Sequence, residues 1–290
     1  PGVYSEYDAS SVVQGRQGRK MVGMAAIHAT APAGVPQTVT SYEGALIAFG
    51  STGGQDMTEL IRLALKNGAA GVVAVPVADE EGYEAAFAAL AAMDDIGVVI
   101  CDSVDREVQQ SLRDSAAAAS AARRERIAVA AGGAGETVTE LLERAKALNS
   151  ERVVLVAPGG TDEEGKAVSG LSLAAAVAGA IAGTTDPALP LGGAVLSGLY
   201  GLETTYGDND LDLLIRGGVT PAERTGGVTS VVRGVTTRTT TDGTADTTWR
   251  ELSTILVVDD VIPSIRAALG AKFARALSLI HISEPTRRTP

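Results

Sequence analysis

Two histidines and one cysteine restrict the side-chain chemistry open to this 290-residue chain. His281 lies in a C-terminal stretch set aside below, which leaves His28 at the end of an apolar run over 21–28. A Ser-His-Asp relay would have to recruit that imidazole. No G-x-S-x-G elbow marks a nucleophilic serine, so His28 reads as a structural histidine. Cys101 and His28 cannot supply a zinc ligand set. Cys101 sits in the apolar run IGVVIC and reads as a buried, reduced thiol. Adjacent carboxylates at Asp94-Asp95 and Asp259-Asp260 read as solvated caps. Asp102-Ser103, just past a strand end where α/β proteins place ligands, reads as the cap of a helix starting at Val104.

The loop Ala131-Gly132-Gly133-Ala134-Gly135-Glu136-Thr137 follows a strand and opens a helix. That is the context in which helix N-termini bind phosphate. It lacks the Lys-Ser/Thr of a P-loop and the third glycine of G-x-G-x-x-G, and Glu136 would repel an anion. A tight βα turn is the simpler account; an α/β nucleotide-binding enzyme using Gly132, Gly133 and Gly135 is the alternative. Ala157-Pro158-Gly159-Gly160 is likewise a turn. No catalytic, cofactor or metal residue is assigned, and no cofactor is expected.

Composition sharpens this. Apolar residues make up 45% of the chain but aromatics only 3%, so Ala, Val, Leu and Ile must fill the core. The formal charge is -11, and the basic cluster Arg123-Arg124-Glu125-Arg126 is broken by an acid, so nucleic acid is not expected as a partner. The apolar stretch Leu171–Gly183 falls short of the ~18 residues a membrane span needs, so no membrane insertion is expected; its Ala and Gly suit a helix packed on a sheet.

The elements that would position these groups alternate. Apolar runs at 21–28, 72–77, 96–101, 127–131 and 153–157 read as strands. Helices are expected after Ser41, over 56–67, 80–93, 104–123 and 137–148, and over Leu171–Gly183. This pattern predicts an α/β fold with a mostly parallel sheet covered by helices on both faces. Residues 1–19 form a polar arm, 20–217 the α/β core with a linker or surface loop at 198–218, and 218–276 a smaller α+β module. Leu277 to Arg287 reads LSLIHISEPTR, the translation of a transposon-type sequencing-library adapter, so 277–290 is set aside as non-native, with the natural chain expected to be cut near Ala276.

In the last module two Val/Thr-rich runs, 228–241 and 244–255, flank Asp242-Gly243, a strong type I′ hairpin signal. A long two-stranded ribbon is marginal alone, so this one is expected to be extended by further chain. Ile255, Val258, Ile262, Ile265 and Leu269 then mark a helical face. Interior Pro263 requires either a kink or a helix start near Asp260.

A series of short motifs carries a resemblance. They are Pro1-Gly2-Val3-Tyr4, TVTSYEGALIAFG at 38–50, the helix, Asn-Gly and strand at 60–77, Gly82-Tyr83-Glu84-Ala85-Ala86, Leu171–Gly183, RGVTT at 233–237 and VVDDVIPSIR at 257–266. In this order, over 1–276, the chain resembles the sheath proteins of contractile phage tails. The resemblance implies a core of subtilisin-like topology without its protease residues. It also implies a virion protein, assembled in the bacterial host cytoplasm, that stacks as homo-oligomeric rings around a tail tube protein. Baseplate and tail terminator proteins would be further partners, and contraction would drive the tube through the host envelope. It further implies strand exchange between subunits: Gly2, Val3 and Tyr4 would be donated, and a ribbon carrying Val228, Val231, Val232, Val235, Thr237, Trp249 and Leu252 would receive them.

Overall fold

The computed structural model describes residues 20–273. Strand β1 (Met21–Ile27) is followed by β2 (Gln37–Val39), helices α1 (Tyr42–Phe49) and α2 (Met57–Lys66), and β3 (Val72–Val77). Then α3 (Tyr83–Ala91), β4 (Ile96–Cys101), α4 (Arg106–Ala121), β5 (Ile127–Ala131), α5 (Val138–Leu148) and β6 (Val153–Ala157) alternate. Short strands β7 (Gly160–Thr161) and β8 (Ala167–Val168) precede α6 (Leu171–Gly183), with β9 (Val195–Leu196), β10 (Gly201–Leu202) and α7 (Asp208–Arg216) beyond it. The described chain closes with β11 (Val219–Thr225), β12 (Val228–Val231), β13 (Thr240–Thr241), β14 (Thr244–Ala245) and α8 (Leu252–Phe273).

The main sheet has the order β2-β3-β1-β4-β5-β6-β11-β12-β9. Its six central strands are parallel, and β2, β12 and β9 are antiparallel to their neighbours. Every residue of β3, β4, β5 and β6 is buried, which is why these strands read as unbroken apolar runs. Alternate residues feed two cores. Met24, Val98, Ile100, Val129 and Val154 join α2, α6 and the start of α8 on one face. Ala25, Val99, Ala128 and Leu155 join α3, α4 and α5 on the other. Helix α6 lies so close to α2 that a Cβ at Gly179 would fall 2.2 Å from the Ala64 carbonyl oxygen. The expected cap Ser41 accepts an amide of the first turn, as do Asp56 and Thr137 at the starts of α2 and α5, and Thr137 with Glu140 forms a reciprocal capping box.

Several expectations are corrected. Asp105, not Asp102-Ser103, caps α4, accepting from the Glu107 and Val108 amides. The stretch 198–218 is not merely a loop: it contains β10 and α7, whose Leu214 is fully buried. Of the long ribbon expected across 228–255 only the short β13–β14 hairpin and an isolated bridge between Val235 and Glu251 form, while 228–231 pairs with β11 instead. Gly226 and Gly227 (φ 61° and 84°) turn β12 back onto β11, while Asp242 and Gly243 (φ 50° and 77°) join only the two-residue strands β13 and β14. Between them the two runs meet only around an isolated antiparallel bridge at Val235 and Glu251, where the Thr236 amide donates to the Arg250 carbonyl at 2.8 Å, and threonine hydroxyls take up other main-chain groups. Thr220 Oγ donates to the Val235 carbonyl and accepts its amide, both at 2.9 Å, and Thr236 Oγ donates to the Trp249 carbonyl at 2.7 Å. Residues 252–255 are already helical. Strand β11, just past residue 218, pairs with β6 and extends the main sheet. Pro263 is interior to α8 and does not mark its start.

Candidate assembly surface

The glycine-rich loop is the first place to test chemistry, because it joins β5 to α5 at the C-terminal end of the sheet. Its anion-binding capacity is already used by this chain. Glu203, just after β10, accepts the Gly135 amide through Oε2 at 2.8 Å and the Gly159 amide through Oε1 at 3.0 Å. Glu136 is held from below by Arg144, whose Nε donates to its Oε2 at 3.1 Å and whose Nη2 donates to its Oε1. Arg144 Nη1 also reaches the Val104 carbonyl at 2.7 Å and Gln109 Oε1 at 3.1 Å, and Gln109 Nε2 donates to the Ala131 carbonyl at 2.8 Å. A phosphate here would have to expel one carboxylate and approach another. The loop is a clasp between strand ends.

The other chemical candidates have structural partners. His28 Nε2 donates to the Phe49 carbonyl at 2.8 Å and Nδ1 accepts the Ala31 amide at 2.9 Å, so both ring nitrogens are engaged. Asp102 accepts the Ile27 amide at 2.9 Å and the Tyr83 hydroxyl; burial raises both side chains above their usual pKa ranges. Burial also pushes the Cys101 thiol up to about 12, which keeps it protonated and unreactive at neutral pH. Among the described residues no group of three or more His, Cys, Asp or Glu could hold a metal ion.

The residues expected to receive a neighbour's strand fall into two groups. Val231, Val235, Thr237 and Leu252 are at most 1% exposed and pack inside the protomer, while Val232 and Trp249 are half-buried. Val228, 48% exposed, stands at the tip of the β11–β12 hairpin. Gly2, Val3 and Tyr4 lie outside the described residues. The surface feature in this region is the β13–β14 hairpin, which forms a two-stranded sheet of its own. Asn149 anchors it: Oδ1 accepts the Thr239 and Thr240 amides at 3.1 and 3.2 Å, and Nδ2 donates to the Thr240 carbonyl at 3.1 Å. Asp246 ties its base through the Thr241 hydroxyl at 2.6 Å and the Thr248 amide at 2.8 Å. Those bonds, the Thr241 hydroxyl foremost, lower the Asp246 carboxyl to about 2.

Sequence reasoning passed over Glu203, Asn149 and Arg144, and Asp259, expected as part of a solvated cap, is instead buried inside α8 and paired with Arg152. Glu203 and Asn149 carry no local signal, since their partners are 44 to 91 residues away. Arg144 was detectable: it follows Leu141 by three and precedes Leu148 by four, on the buried face of α5.

A doubly covered parallel sheet, with its glycine turn filled by its own carboxylate and a small hairpin beyond the sheet, defines an α/β scaffold. The comparisons place it. The model of the phage tail sheath protein central domain matches residues 77–237. The chain belongs to the phage tail sheath protein family. Its fold is similar to that of the sheath tail protein from Desulfitobacterium hafniense, at 14% identity and TM-score 0.70 over 94% of this chain and 83% of that one. The contracted helical sheath of the anti-feeding prophage shares 19% identity at TM-score 0.67, over 99% and 78%. A sheath tail protein from Listeria innocua shares 10% at TM-score 0.66, over 88% and 79%. No curated protein matches the sequence.

Proposed function

We infer that this chain is the structural subunit of a contractile tail sheath, with no catalytic role. The observation that carries this is the sheath central-domain match across 77–237, which spans the sheet from the end of β3 through β12. In this reading copies polymerise as stacked rings around a tail tube protein, bounded by baseplate and tail terminator proteins, and contraction drives the tube through the host envelope. The subunits assemble in the bacterial cytoplasm and end in the virion or a related injection particle. No helix among the described residues is long and apolar enough to cross a membrane.

The linkage proposed is strand exchange. Gly2, Val3 and Tyr4 of one copy add to a neighbour's sheet built on the β13–β14 hairpin, with Val228 and Trp249 beside it. Buried Val231, Val235, Thr237 and Leu252 support that surface from within. Main-chain bonds of this kind hold subunits while tolerating rotation, because they depend little on side-chain registry. Coexpression of the full chain with its tube protein, followed by electron microscopy, tests the function. Hollow cylinders are expected; small monodisperse particles whose melting temperature rises with nucleotide would overturn it in favour of the enzyme.

A further inference from the structure

Consecutive residues 149–152, in the turn between α5 and β6, each hold a different part of the chain beyond β12. Asn149 takes the Thr239 and Thr240 amides on Oδ1. The Ser150 amide donates to Thr237 Oγ at 3.0 Å, and its carbonyl accepts from the same hydroxyl at 3.1 Å. Glu151 Oε2 accepts from Arg238 Nη1 at 2.7 Å, and Arg152 Nη1 donates to Asp259 in α8. Asn149 also ends α5 in the left-handed conformation, φ 32° and ψ 59°, with its amide on the Ala145 carbonyl.

The parts held in this way differ in what else secures them. Thr237 is fully buried, and α8 starts in the core through Leu252 and Ile255. Residues 238–248 read RTTTDGTADTT, with Ala245 as their sole aliphatic side chain, and none of them is buried. Strands β13 and β14 pair with each other, outside the main sheet. Beyond the flanking residues, the hydrogen bonds of this stretch among the described residues run to Asn149 and Glu151. A short hairpin without a buried apolar face has little else to hold it in place.

We propose that the turn at Asn149 and Glu151 is a latch, and that residues 238–248 open from it as one unit, between buried Thr237 and core-packed Trp249, while the doubly covered sheet stays folded. If this hairpin receives a neighbour's strand, as the function above holds, the latch lets the receiving edge change direction without loss of core packing. That consequence rests on the strand-exchange reading; the opening itself does not.

Native-state hydrogen exchange of the full chain, resolved to single amides, tests it. The Thr239 and Thr240 amides bond Asn149, and the Asp246 amide closes the hairpin on the Thr239 carbonyl. All three should exchange faster than the amides of β5 and β6. Their rates should stay flat in low urea, because a local opening exposes little surface, while rates in β5 and β6 climb with it. Asn149→Gly keeps the left-handed backbone accessible and removes the side chain. It should raise exchange at the three hairpin amides roughly tenfold, the factor for one or two net hydrogen bonds, with a much smaller rise in β5 and β6. Asn149→Asp retains the acceptor for Thr239 and Thr240 and should keep most of the protection. Hairpin amides that climb with urea in parallel with β5 and β6 would overturn the proposal. So would hairpin exchange at the wild-type rate in Asn149→Gly. These rates are read on unassembled chain, so a missing latch and a missing cylinder are separate outcomes.

Discussion

Replacing Glu203 with alanine removes the carboxylate that joins the Gly135 amide of the glycine loop to the Gly159 amide, and its cost can be worked from the geometry. Two backbone amides lose an ionised acceptor, at 2.8 Å for Gly135 and 3.0 Å for Gly159. A hydrogen bond to a charged group contributes about 1.5–3 kcal/mol, less where water can replace it. The Gly135 bond is exposed and the Gly159 bond half-buried, so about 1 and 2 kcal/mol respectively is a reasonable division, about 3 kcal/mol in all. Glu203→Gln keeps one acceptor but turns an amide group towards an N–H donor, and should fall between wild type and alanine. Urea denaturation reads the difference as a lower midpoint with the slope unchanged. The emptied amides of the alanine variant should also take up inorganic phosphate weakly, raising its midpoint, whereas the wild type should not respond. A loss below about 0.5 kcal/mol, the size of an ordinary surface substitution, or phosphate stabilisation of the wild type equal to that of the variant, would refute the clasp.

Three further outcomes follow from the same structure. Arg152→Ala should destabilise by about 3–5 kcal/mol because it strands the buried Asp259 carboxylate, and Asp259→Leu combined with Arg152→Met should recover most of that on a denaturation midpoint. Gly179→Ala places a methyl group against the Ala64 backbone and should cost about 3 kcal/mol by overpacking, read by calorimetry. Asp246 has its pKa lowered from 3.8 to about 2 in the fold. A depressed carboxylate contributes stability that is present above 3.8 and lost as pH falls towards 2, so Asp246→Asn should flatten the acid limb of stability across that window alone.

The sheet was legible in the sequence because parallel strands covered on both faces must be apolar throughout. The expected bounds of β3, β4, β5 and β6 coincide with those found. The helix start at Tyr42 was legible from the Ser41 hydroxyl, and those at Met57 and Val138 lie one residue beyond the expected 56 and 137, which are their caps. The ribbon was not. Val and Thr favour strands locally, yet at 232–239 the hydroxyls satisfy main-chain groups across the fold, and a propensity cannot see such a partner. Gly226-Gly227 was as strong a turn signal as Asp242-Gly243, and reading it would have paired 228–231 backwards with β11. Helix α7 escaped because its first turn, Asp208-Asn209-Asp210, reads as loop while Leu214 alone is buried. Of the candidate surface, the Asp-Gly turn was legible. The anchors that hold it, Asn149 and Ser150 to Thr237, lie 87 to 91 residues away in sequence and required the fold.

In the proposed assembly, copies are joined by main-chain pairing between the N-terminal arm of one and the β13–β14 hairpin of another. Cys101 is the only cysteine and is buried, so engineered thiols report cleanly. With Tyr4→Cys and Thr244→Cys in the full chain, oxidation of assembled particles should give a ladder of covalent multimers on a non-reducing gel, absent from either single variant. Disulfides confined to monomers, or none in particles that assemble normally, would contradict the account.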